Sequence, residues 1–399
     1  MATIANSPPS VESVRTEVGD IPAIEGMRGI AVLLVLVFHY FVLRVDRFPD
    51  DAFIVLARSW APLEAIVRNG YLGVDLFFVI TGFLLTLPWF RHAAEGRAAP
   101  GAKAFYFRRM RRIMPAYYVQ LVILFFVVIP LLLPQIWMQS TPFVVANLGT
   151  HAVFMHYTTP LTSSSMTVNG ALWTLAIEAQ YYVLVPFIAP LFVRWPWRCL
   201  VAAVLIAGGW RYLANHDLDF LVRLYLKLGA KAGVTEKEVR HLIETQLPAW
   251  SLHFALGILA GRMWFLRRGA MAKGWSARVP VAIAGACAGL LLAILMAGTA
   301  FLGSQGWVAY PVLIAGAFAA VVSWPAAGLA RVISVRPLAW VGRVSYSAYL
   351  YHLPVLLLFN AFLPGTPAMT AFVAWTSAVL VAAGLSYRFV ETPYLRSHR

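Results

Sequence analysis

The stretch IPAIEGMRGIAVLLVLVFHYFVLR, residues 21–44, decides the fold class of this chain. It is apolar enough to enter a lipid bilayer, yet it carries Arg28 near one end and His39 deep in its apolar run. A polar side chain inside the hydrocarbon is costly unless it finds a polar partner or a water-lined cavity. The stretch therefore predicts a membrane-spanning helix whose polar residues face the interior of a helix bundle.

The composition of the whole chain is typical of a membrane protein. Of its 399 residues, 60% are hydrophobic and 12% are charged, which excludes an ordinary soluble domain. Since a spanning helix needs about 20 apolar residues, we predict an all-α polytopic protein with about ten transmembrane helices. The predicted spans are residues 29–44, 71–90, 114–134, 171–192, 199–213, 249–266, 279–300, 306–325, 344–362 and 368–387.

The distribution of Lys and Arg predicts that both termini lie in the cytoplasm. With the N-terminus inside, 22 of the 32 Lys and Arg residues fall in cytoplasmic segments or at inner helix ends, as the positive-inside rule requires. Topology and contact with anionic lipids then account for the net charge of +15, and no motif for nucleic-acid recognition is present.

The chain divides into a polar tail, residues 1–20, and one predicted transmembrane domain, residues 21–396. The tail lacks the apolar core of a signal peptide, so the first span is expected to direct insertion. The two cysteines, Cys199 and Cys287, fall in or at predicted spans and indicate neither a disulfide framework nor a metal cluster. We therefore predict no metal site.

A long polar connection, residues 214–248, joins two of the predicted spans. Apolar residues recur at helical spacing in LDFLVRLYLKL, and TEKE at 235–238 has the pattern of a capping box that begins a second short helix. We expect two amphipathic helices on the outer surface. They act either as a lid over an acceptor site or as a simple connector.

Arg28 and His39 are predicted to share one face of the first span. Eleven residues make about three helical turns and a rise of about 16 Å, so His39 lies more than halfway across the hydrocarbon. Imidazole suits general-base catalysis near neutral pH. A structural histidine that is hydrogen-bonded to a neighbouring helix is the alternative interpretation.

Two carboxylates enter other predicted spans from the outer side. Asp75 lies in GVDLFFVITGFLL and Glu178 in NGALWTLAIEAQYYVLVP. Either is a candidate to orient His39, although Asp75 at a helix start also benefits from the helix dipole. The aromatic residues around Glu178 suit an interfacial belt or stacking on a sugar ring. They are Trp173, Tyr181 and Tyr182.

An arginine cluster precedes the third span, in FYFRRMRRIMPAYY. It suits either anchoring to lipid headgroups or a clamp for the phosphates of a bulky anionic cofactor. Its members are Arg108, Arg109, Arg111 and Arg112. The ninth span, in SYSAYLYHLPVLL, adds His352 with a polar flank that includes Ser345 and Tyr349. His352 is a second candidate for acceptor binding or proton relay.

Taken in order, these stretches resemble the acyltransferase 3 family of integral membrane O-acyltransferases over nearly the whole chain. The arginine and histidine of that family's first span stand here as Arg28 and His39. Its G-V-D-x-F-F-x-I-S-G-F block appears with Thr81 for serine, and its W-S-L-x-x-E block keeps Glu178 but has Ala179 where a second glutamate is common. The remaining blocks, R-x-x-R-I-x-P, S-Y-x-x-Y-L-x-H and V-E-x-P, match Arg109, Arg112, Ile113, Pro115, Ser345, Tyr346, Tyr349, Leu350, His352, Val390, Glu391 and Pro393.

The resemblance implies transfer of an acyl group, often acetyl, from cytoplasmic acyl-coenzyme A to a hydroxyl of a carbohydrate or glycolipid acceptor. Our hypothesis for the catalytic residues is that His39 acts as general base, that Asp75 or Glu178 orients it, and that Arg28 guides the pantetheine arm or a phosphate of the donor. The donor would lie on Arg28 and on the cluster of four arginines. The expected acceptor-binding residues are Trp173, Tyr181, Tyr182, Ser345, Tyr349 and His352.

The resemblance also carries expectations about organisation and location. Some members of the family have a fused periplasmic SGNH domain; none is expected here because the chain ends at Arg399, directly after the last predicted span. A second step would then need a separate periplasmic partner. We expect an integral protein of a bacterial cytoplasmic (inner) membrane.

A proton-coupled transporter or flippase is the alternative from another functional class. In that interpretation the intramembrane ionisable groups form a proton relay. They are His39, Asp75, Glu178 and His352. An enzyme releases free coenzyme A, whereas a transporter moves an unmodified solute, so the two functions predict different products.

Overall fold

The computed structural model describes residues 22–138, 141–163, 169–229, 235–268, 278–298, 306–323 and 328–396. Within these ranges the chain forms helices and connecting turns, with no strand. The prediction of an all-α protein is confirmed. The polar tail at 1–20 lies outside the described residues.

The described residues of the first half of the chain form ten helices. They are α1 (Pro22–Arg44), α2 (Ala52–Ser59), α3 (Ala61–Arg68), α4 (Leu72–Ala94), α5 (Ala102–Ile123), α6 (Ile129–Leu132), α7 (Pro134–Trp137), α8 (Thr141–Ala152), α9 (Pro160–Ser163) and α10 (Trp173–Arg194). A π-helical turn, Leu124–Val128, joins α5 to α6 without a break. A 3-10 turn, Gly170–Leu172, leads into α10.

Eleven further helices follow in the described part of the second half. They are α11 (Pro196–His216), α12 (Asp219–Gly229), α13 (Glu236–Glu244), α14 (Ser251–Arg268), α15 (Arg278–Ala297), α16 (Gly306–Ser323), α17 (Gly328–Ile333), α18 (Arg336–Arg343), α19 (Ser345–Phe362), α20 (Ala371–Ser386) and α21 (Thr392–Arg396). A 3-10 turn, Leu247–Trp250, precedes α14, and a π-helical turn, Tyr387–Glu391, follows α20.

A long helix overlaps each of the ten predicted spans, but the described residues contain six stretches that are long and apolar enough to cross a membrane. These are Ala23–Arg44, Leu72–Ala94, Ala102–Leu132, Gly170–Arg194, Gly306–Ser323 and Ala371–Leu395. An integral membrane protein is thus supported. The count of ten spans and the placement of both termini in the cytoplasm stay predictions.

Helices α1 and α4 pack against each other at the centre of the bundle, and each packs against a different set of further helices. Helix α1 also contacts α18 and α19, whereas α4 packs along α14. Gly82 of α4 and Gly257 of α14 allow this second approach, because a Cβ at either position would collide with a main-chain atom of the opposite helix. This packing places the residues of α4 between α1 and α14.

A buried polar network fixes the C-terminal end of α1. Arg44, 4% exposed, contacts the Asp51 carboxylate with Nη2 at 3.2 Å and Nε at 3.3 Å from Oδ2, and it also donates to Asn360 of α19. Tyr40 donates to the same carboxylate, whose other oxygen accepts from the backbone N–H of Phe53 at 3.0 Å. The network therefore ties α1 to α2 and α19, five residues beyond His39.

Replacing Arg44 by methionine is expected to destabilise the protein by about 3–5 kcal/mol, because Asp51 would keep its buried charge without its cation. Thermal unfolding of the purified protein in detergent measures the loss. Arg47→Met is the matched control, since Arg47 is exposed and lies over Phe48. Equal unfolding temperatures for the two variants would contradict the assignment of this network as a stabilising one.

The two helices predicted within 214–248 are present as α12 and α13. Thr235 accepts from the N–H of Glu238, and the Glu238 carboxylate accepts from the N–H of Thr235 at 2.7 Å, so the predicted capping box is confirmed. These hydrogen bonds lower the pKa of Glu238. Tyr225 of α12 donates to the carbonyl of Thr158 at 2.8 Å, which anchors the pair to the loop after α8.

Candidate active site

A cavity of about 520 Å³ lies between α1, α4, α5, α10 and α19. Four guanidinium groups and two carboxylates line it, together with hydroxyl groups and apolar side chains. Its charged and hydroxyl-bearing lining residues are Glu25, Arg28, Thr81, Arg91, Arg109, Arg112, Thr174, Glu178, Tyr182, Ser345, Tyr346 and Tyr349. The excess of arginine over glutamate suits an anionic ligand.

Arg28 and Glu178 both line the cavity. Arg28 Nη2 donates to Ser345 Oγ at 3.1 Å, and its Nη1 lies 4.0 Å from Glu25 Oε1. Glu178 Oε1 accepts from Thr81 Oγ1 at 3.0 Å, so the threonine that replaces the family's serine keeps the hydroxyl function. Sequence reasoning placed Arg28 and Glu178 in one site, and the structure brings them into one cavity.

The predicted arginine cluster divides into two pairs. Arg109 and Arg112 line the cavity, as does Arg91 at the end of α4. Arg108 is exposed, and Arg111 donates to the carbonyl of Tyr394 at 2.9 Å. Because residues three apart share a helix face, α5 directs one pair of arginines into the cavity and the other pair away from it.

Tyr349 forms part of the end of the cavity that lies toward His352. Its hydroxyl lies 2.8 Å from Thr174 Oγ1 and donates to the carbonyl of Ala171 at 3.0 Å. Its ring centroid is 6.1 Å from that of Phe77 and 5.5 Å from that of His352. Tyr349 therefore contacts the cavity on one side and His352 on the other.

His39 and His352 contact each other beyond this end of the cavity. Nε2 of His352 lies 3.2 Å from Nδ1 of His39, and the ring centroids are 4.9 Å apart. His352 is fully buried, whereas His39 is half-buried. The two residues are 313 positions apart in the chain, and the packing of α19 against α1 brings them together.

Backbone carbonyls fix the tautomers of both rings. Nδ1 of His352 lies 2.7 Å from the carbonyl oxygen of Tyr349, which can only accept, so this nitrogen carries a proton. The Nε2 of a neutral His352 is then an acceptor that faces His39 Nδ1. Nδ1 of His39 also lies 3.0 Å from the carbonyl of Val35 and must be the donor. A neutral His39 is therefore left with its lone pair on Nε2.

Neither carboxylate occupies the position that was expected for orienting His39. Asp75 Oδ1 accepts from His253 Nε2 at 2.7 Å, and Glu178 accepts from Thr81. The packing of α4 along α14 turns Asp75 toward His253, while α10 directs Glu178 into the cavity. The side chain that contacts the His39 ring nitrogen is the imidazole of His352.

The predicted aromatic residues separate in the same way. Tyr182 lines the cavity, but Tyr181 is buried and stacks on Phe254 with ring centroids 3.7 Å apart. Trp173 packs against Tyr157 and Trp250 at centroid distances of 5.5 and 5.4 Å. Trp173 and Tyr181 thus belong to an aromatic cluster beside the cavity rather than to its lining.

His253 is a polar residue that the sequence reasoning missed. It lies in the sixth predicted span, residues 249–266, as the single ionisable group of its outer half. An intramembrane histidine is itself a functional signal, so the criterion that singled out His39 applies here too. Thr174, which lies 2.8 Å from the Tyr349 hydroxyl, gave no comparable signal.

Comparison with known proteins gives a family and several relatives. A family model described as an acyltransferase domain matches residues 21–389. The peptidoglycan O-acetyltransferase OatA of Listeria monocytogenes is 26% identical over 94% of this chain and 55% of its own length. The putative peptidoglycan O-acetyltransferase YrhL of Bacillus subtilis is 26% identical over 94% and 54%. The O-acetyltransferase OatA of Staphylococcus aureus is 25% identical over 94% and 57%.

The chain spans about half the length of these curated relatives. No solved structure matches the chain.

Proposed function

Because the chain belongs to this acyltransferase family, which its match over residues 21–389 shows, we propose that it is a membrane O-acyltransferase acting on a carbohydrate hydroxyl. The donor is acyl-coenzyme A, with acetyl as the first acyl group to test. The observation that carries the proposal is the arginine-lined cavity whose end at Tyr349 adjoins the His39–His352 pair.

The cavity suits the donor in size and in charge. Its volume of about 520 Å³ lies within the range of small-molecule sites. Arg28, Arg109 and Arg112 would hold the phosphates, since guanidinium groups bind phosphate through paired charge-assisted hydrogen bonds. The apolar lining toward Tyr349 suits the pantetheine arm and places the thioester toward the histidine pair.

His39 is assigned the role of general base. Its Nε2 removes the proton from the acceptor hydroxyl, and the oxygen attacks the thioester carbonyl carbon. The carbon–sulfur bond breaks, the acyl group becomes an oxygen ester, and the proton on Nε2 passes to the departing thiolate. General-base catalysis of this kind is worth about 10²–10⁴ in rate.

The acceptor is proposed to be a polysaccharide of the cell envelope. The relatives named above include peptidoglycan O-acetyltransferases, which supports a glycan acceptor. With both termini in the cytoplasm, as the Lys and Arg distribution predicts, the donor enters from the cytoplasm and the acceptor from the outer side of a bacterial cytoplasmic membrane.

Acetyl-coenzyme A labelled with one isotope in the acetyl carbon and another in the adenine tests this function. The purified protein is reconstituted in lipid vesicles with a soluble glycan tetrasaccharide of peptidoglycan. Transfer moves the acetyl label to the glycan as an ester that hydroxylamine releases, while the adenine label stays in free coenzyme A. Both isotopes remaining together in an unmodified, translocated donor would instead establish transport.

The contacts of the carboxylates favour the enzyme over a proton relay. A proton relay requires each ionisable group to lie within hydrogen-bond distance of the next. Asp75, however, pairs with His253, and Glu178 pairs with Thr81. Of the four proposed relay groups, the structure pairs only His39 with His352 among the described residues.

Arg109→Gln and Arg112→Gln are each expected to raise the KM for acetyl-coenzyme A by about 10- to 100-fold, since each removes a charge-assisted hydrogen bond worth about 1.5–3 kcal/mol. Steady-state kinetics with a fixed glycan concentration measure the change. Arg108→Gln is the matched control on the same helix, because Arg108 is exposed outside the cavity. Equal KM values for all three variants would remove the cavity from donor binding.

A further inference from the structure

A second cluster of polar side chains lies outside the cavity and includes Asp75 and His253. These side chains are 6% and 2% exposed, and their hydrogen bond joins α4 to α14. Nδ1 of His253 is buried and has no hydrogen-bond partner among the described residues. Since Nε2 carries the proton donated to Asp75, Nδ1 is an acceptor when the His253 ring is neutral. A donor from outside the described protein is needed to satisfy it.

Two more buried polar atoms without partners lie on helices that pack against α14, the helix of His253. They are Nε of Arg211 on α11 and the hydroxyl of Tyr310 on α16, again counted among the described residues. Helix α11 packs against α14, and α16 packs against both α14 and α4, which carries Asp75. Buried polar atoms are nearly always hydrogen-bonded in native proteins, so three such atoms on α14 and on two helices packed against it indicate a polar ligand. We call Asp75, Arg211, His253 and Tyr310 the outer polar site.

Aromatic rings flank the outer polar site. The Trp250 ring centroid lies 4.9 Å from that of His253, and Trp250 packs against Trp173. On the Arg211 side, the guanidinium carbon lies 6.0 Å from the centroid of Trp307. Rings of this kind offer apolar faces next to hydrogen-bonding groups, which is the combination that a sugar ring presents in return.

An aromatic contact chain connects the outer polar site to His39. Tyr71, 37% exposed, precedes Asp75 by one helical turn. Its ring centroid lies 5.6 Å from that of Phe38, which lies 5.0 Å from that of His39. A ligand that extends from the outer polar site along Tyr71 and Phe38 therefore approaches the half-buried His39 ring.

We propose that the outer polar site binds the hydroxyl-rich carbohydrate acceptor, an inference that rests on the proposed function. His253 Nδ1 accepts a hydrogen bond from a sugar hydroxyl, while Arg211 Nε and the Tyr310 hydroxyl donate to sugar oxygens. Asp75 holds the His253 ring in the tautomer that leaves Nδ1 open. Asp75 thus acts on the acceptor through His253 and is a positioning residue.

Equilibrium binding of a fluorescently labelled peptidoglycan glycan tetrasaccharide, measured without donor, tests the site. His253→Gln keeps an amide N–H for Asp75 but lacks the Nδ1 acceptor, and it is expected to raise the Kd at least about tenfold. His216→Gln is the matched control, because His216 is exposed at the end of α11. Its Kd is expected to stay within about twofold of the parent value.

Tyr310→Phe provides the second variant, since it removes one hydroxyl and leaves the ring. Its expected Kd is raised by about three- to tenfold, and the unfolding temperature of each variant reports whether the bundle is intact. A wild-type protein that does not bind the tetrasaccharide, or unchanged Kd values in folded His253→Gln and Tyr310→Phe, would overturn the proposal. The assay involves no acyl transfer, so these outcomes are separate from a failure of the dual-label experiment.

Discussion

His39→Ala is expected to lower the rate of acyl transfer by about 10²–10⁴, the usual contribution of a positioned general base. The alanine removes the Nε2 lone pair that the tautomers of the histidine pair leave for the acceptor hydroxyl. Labelled acetyl transferred to the glycan per unit of purified protein measures the rate. Binding of coenzyme A is expected to remain unchanged, because His39 lies beyond the lining of the donor cavity.

His92→Ala is the control for the loss of an imidazole elsewhere. His92 lies near the end of α4 and is half-buried, with Nδ1 against the carbonyl of Ala98. This variant is expected to keep the parent rate. Transfer by His39→Ala at the parent rate would exclude His39 from the reaction.

His352→Phe is expected to lower kcat by about 10- to 100-fold while the KM for the donor stays within about twofold, by analogy with residues that orient metal-bound histidines. Phenylalanine keeps an aromatic ring in the buried site but cannot accept from Nδ1 of His39. That nitrogen would keep Val35 as its acceptor, and the ring would lose its second hydrogen bond.

His352→Gln separates positioning from packing. The glutamine amide oxygen reaches the position of Nε2 and accepts from His39, so this variant is expected to recover part of the kcat that His352→Phe loses. Steady-state kinetics of both variants, with matched unfolding temperatures, give the comparison. Equal kcat values for the two variants would show that His352 acts as a packing residue.

The periodicity of α1 was enough to predict that Arg28 and His39 share one face of the helix, and both contact α19. Eleven residues return a helix to the same face, and the structure places Arg28 in the cavity and His39 beyond its end. The capping box at Thr235 was equally readable, because both of its hydrogen bonds are local. Features that depend only on residues close together in one helix can be predicted from the sequence.

The partners of the buried ionisable groups were not readable, because they depend on which helices pack together. Asp75 meets His253 across 178 residues, through the close approach of α4 and α14. His39 meets His352 across 313 residues. We expected a carboxylate to orient His39, because a carboxylate commonly orients a catalytic imidazole. In the structure the imidazole of His352 contacts His39 instead.

The orientation of the arginine cluster depends both on spacing within one helix and on how that helix packs. Helical spacing separates Arg109 and Arg112 from Arg108 and Arg111, but apolar residues flank both faces of α5 at its start. Only the contact of Tyr346 with the carbonyl of Ile113, at 3.0 Å, shows which face turns toward the cavity. The sequence analysis treated the four arginines as one cluster, and the packing of α5 showed that Arg109 and Arg112 line the cavity.

The proposed donor path is tested by a cryo-electron microscopy structure of the protein with a non-transferable thioether analogue of acetyl-coenzyme A. We predict the phosphates on Arg109 and Arg112 and the acetyl end beside Tyr349, on the side that faces His352 and His39. An analogue bound outside the cavity, or one with its acetyl end at the arginines, would contradict the proposed path from donor to base.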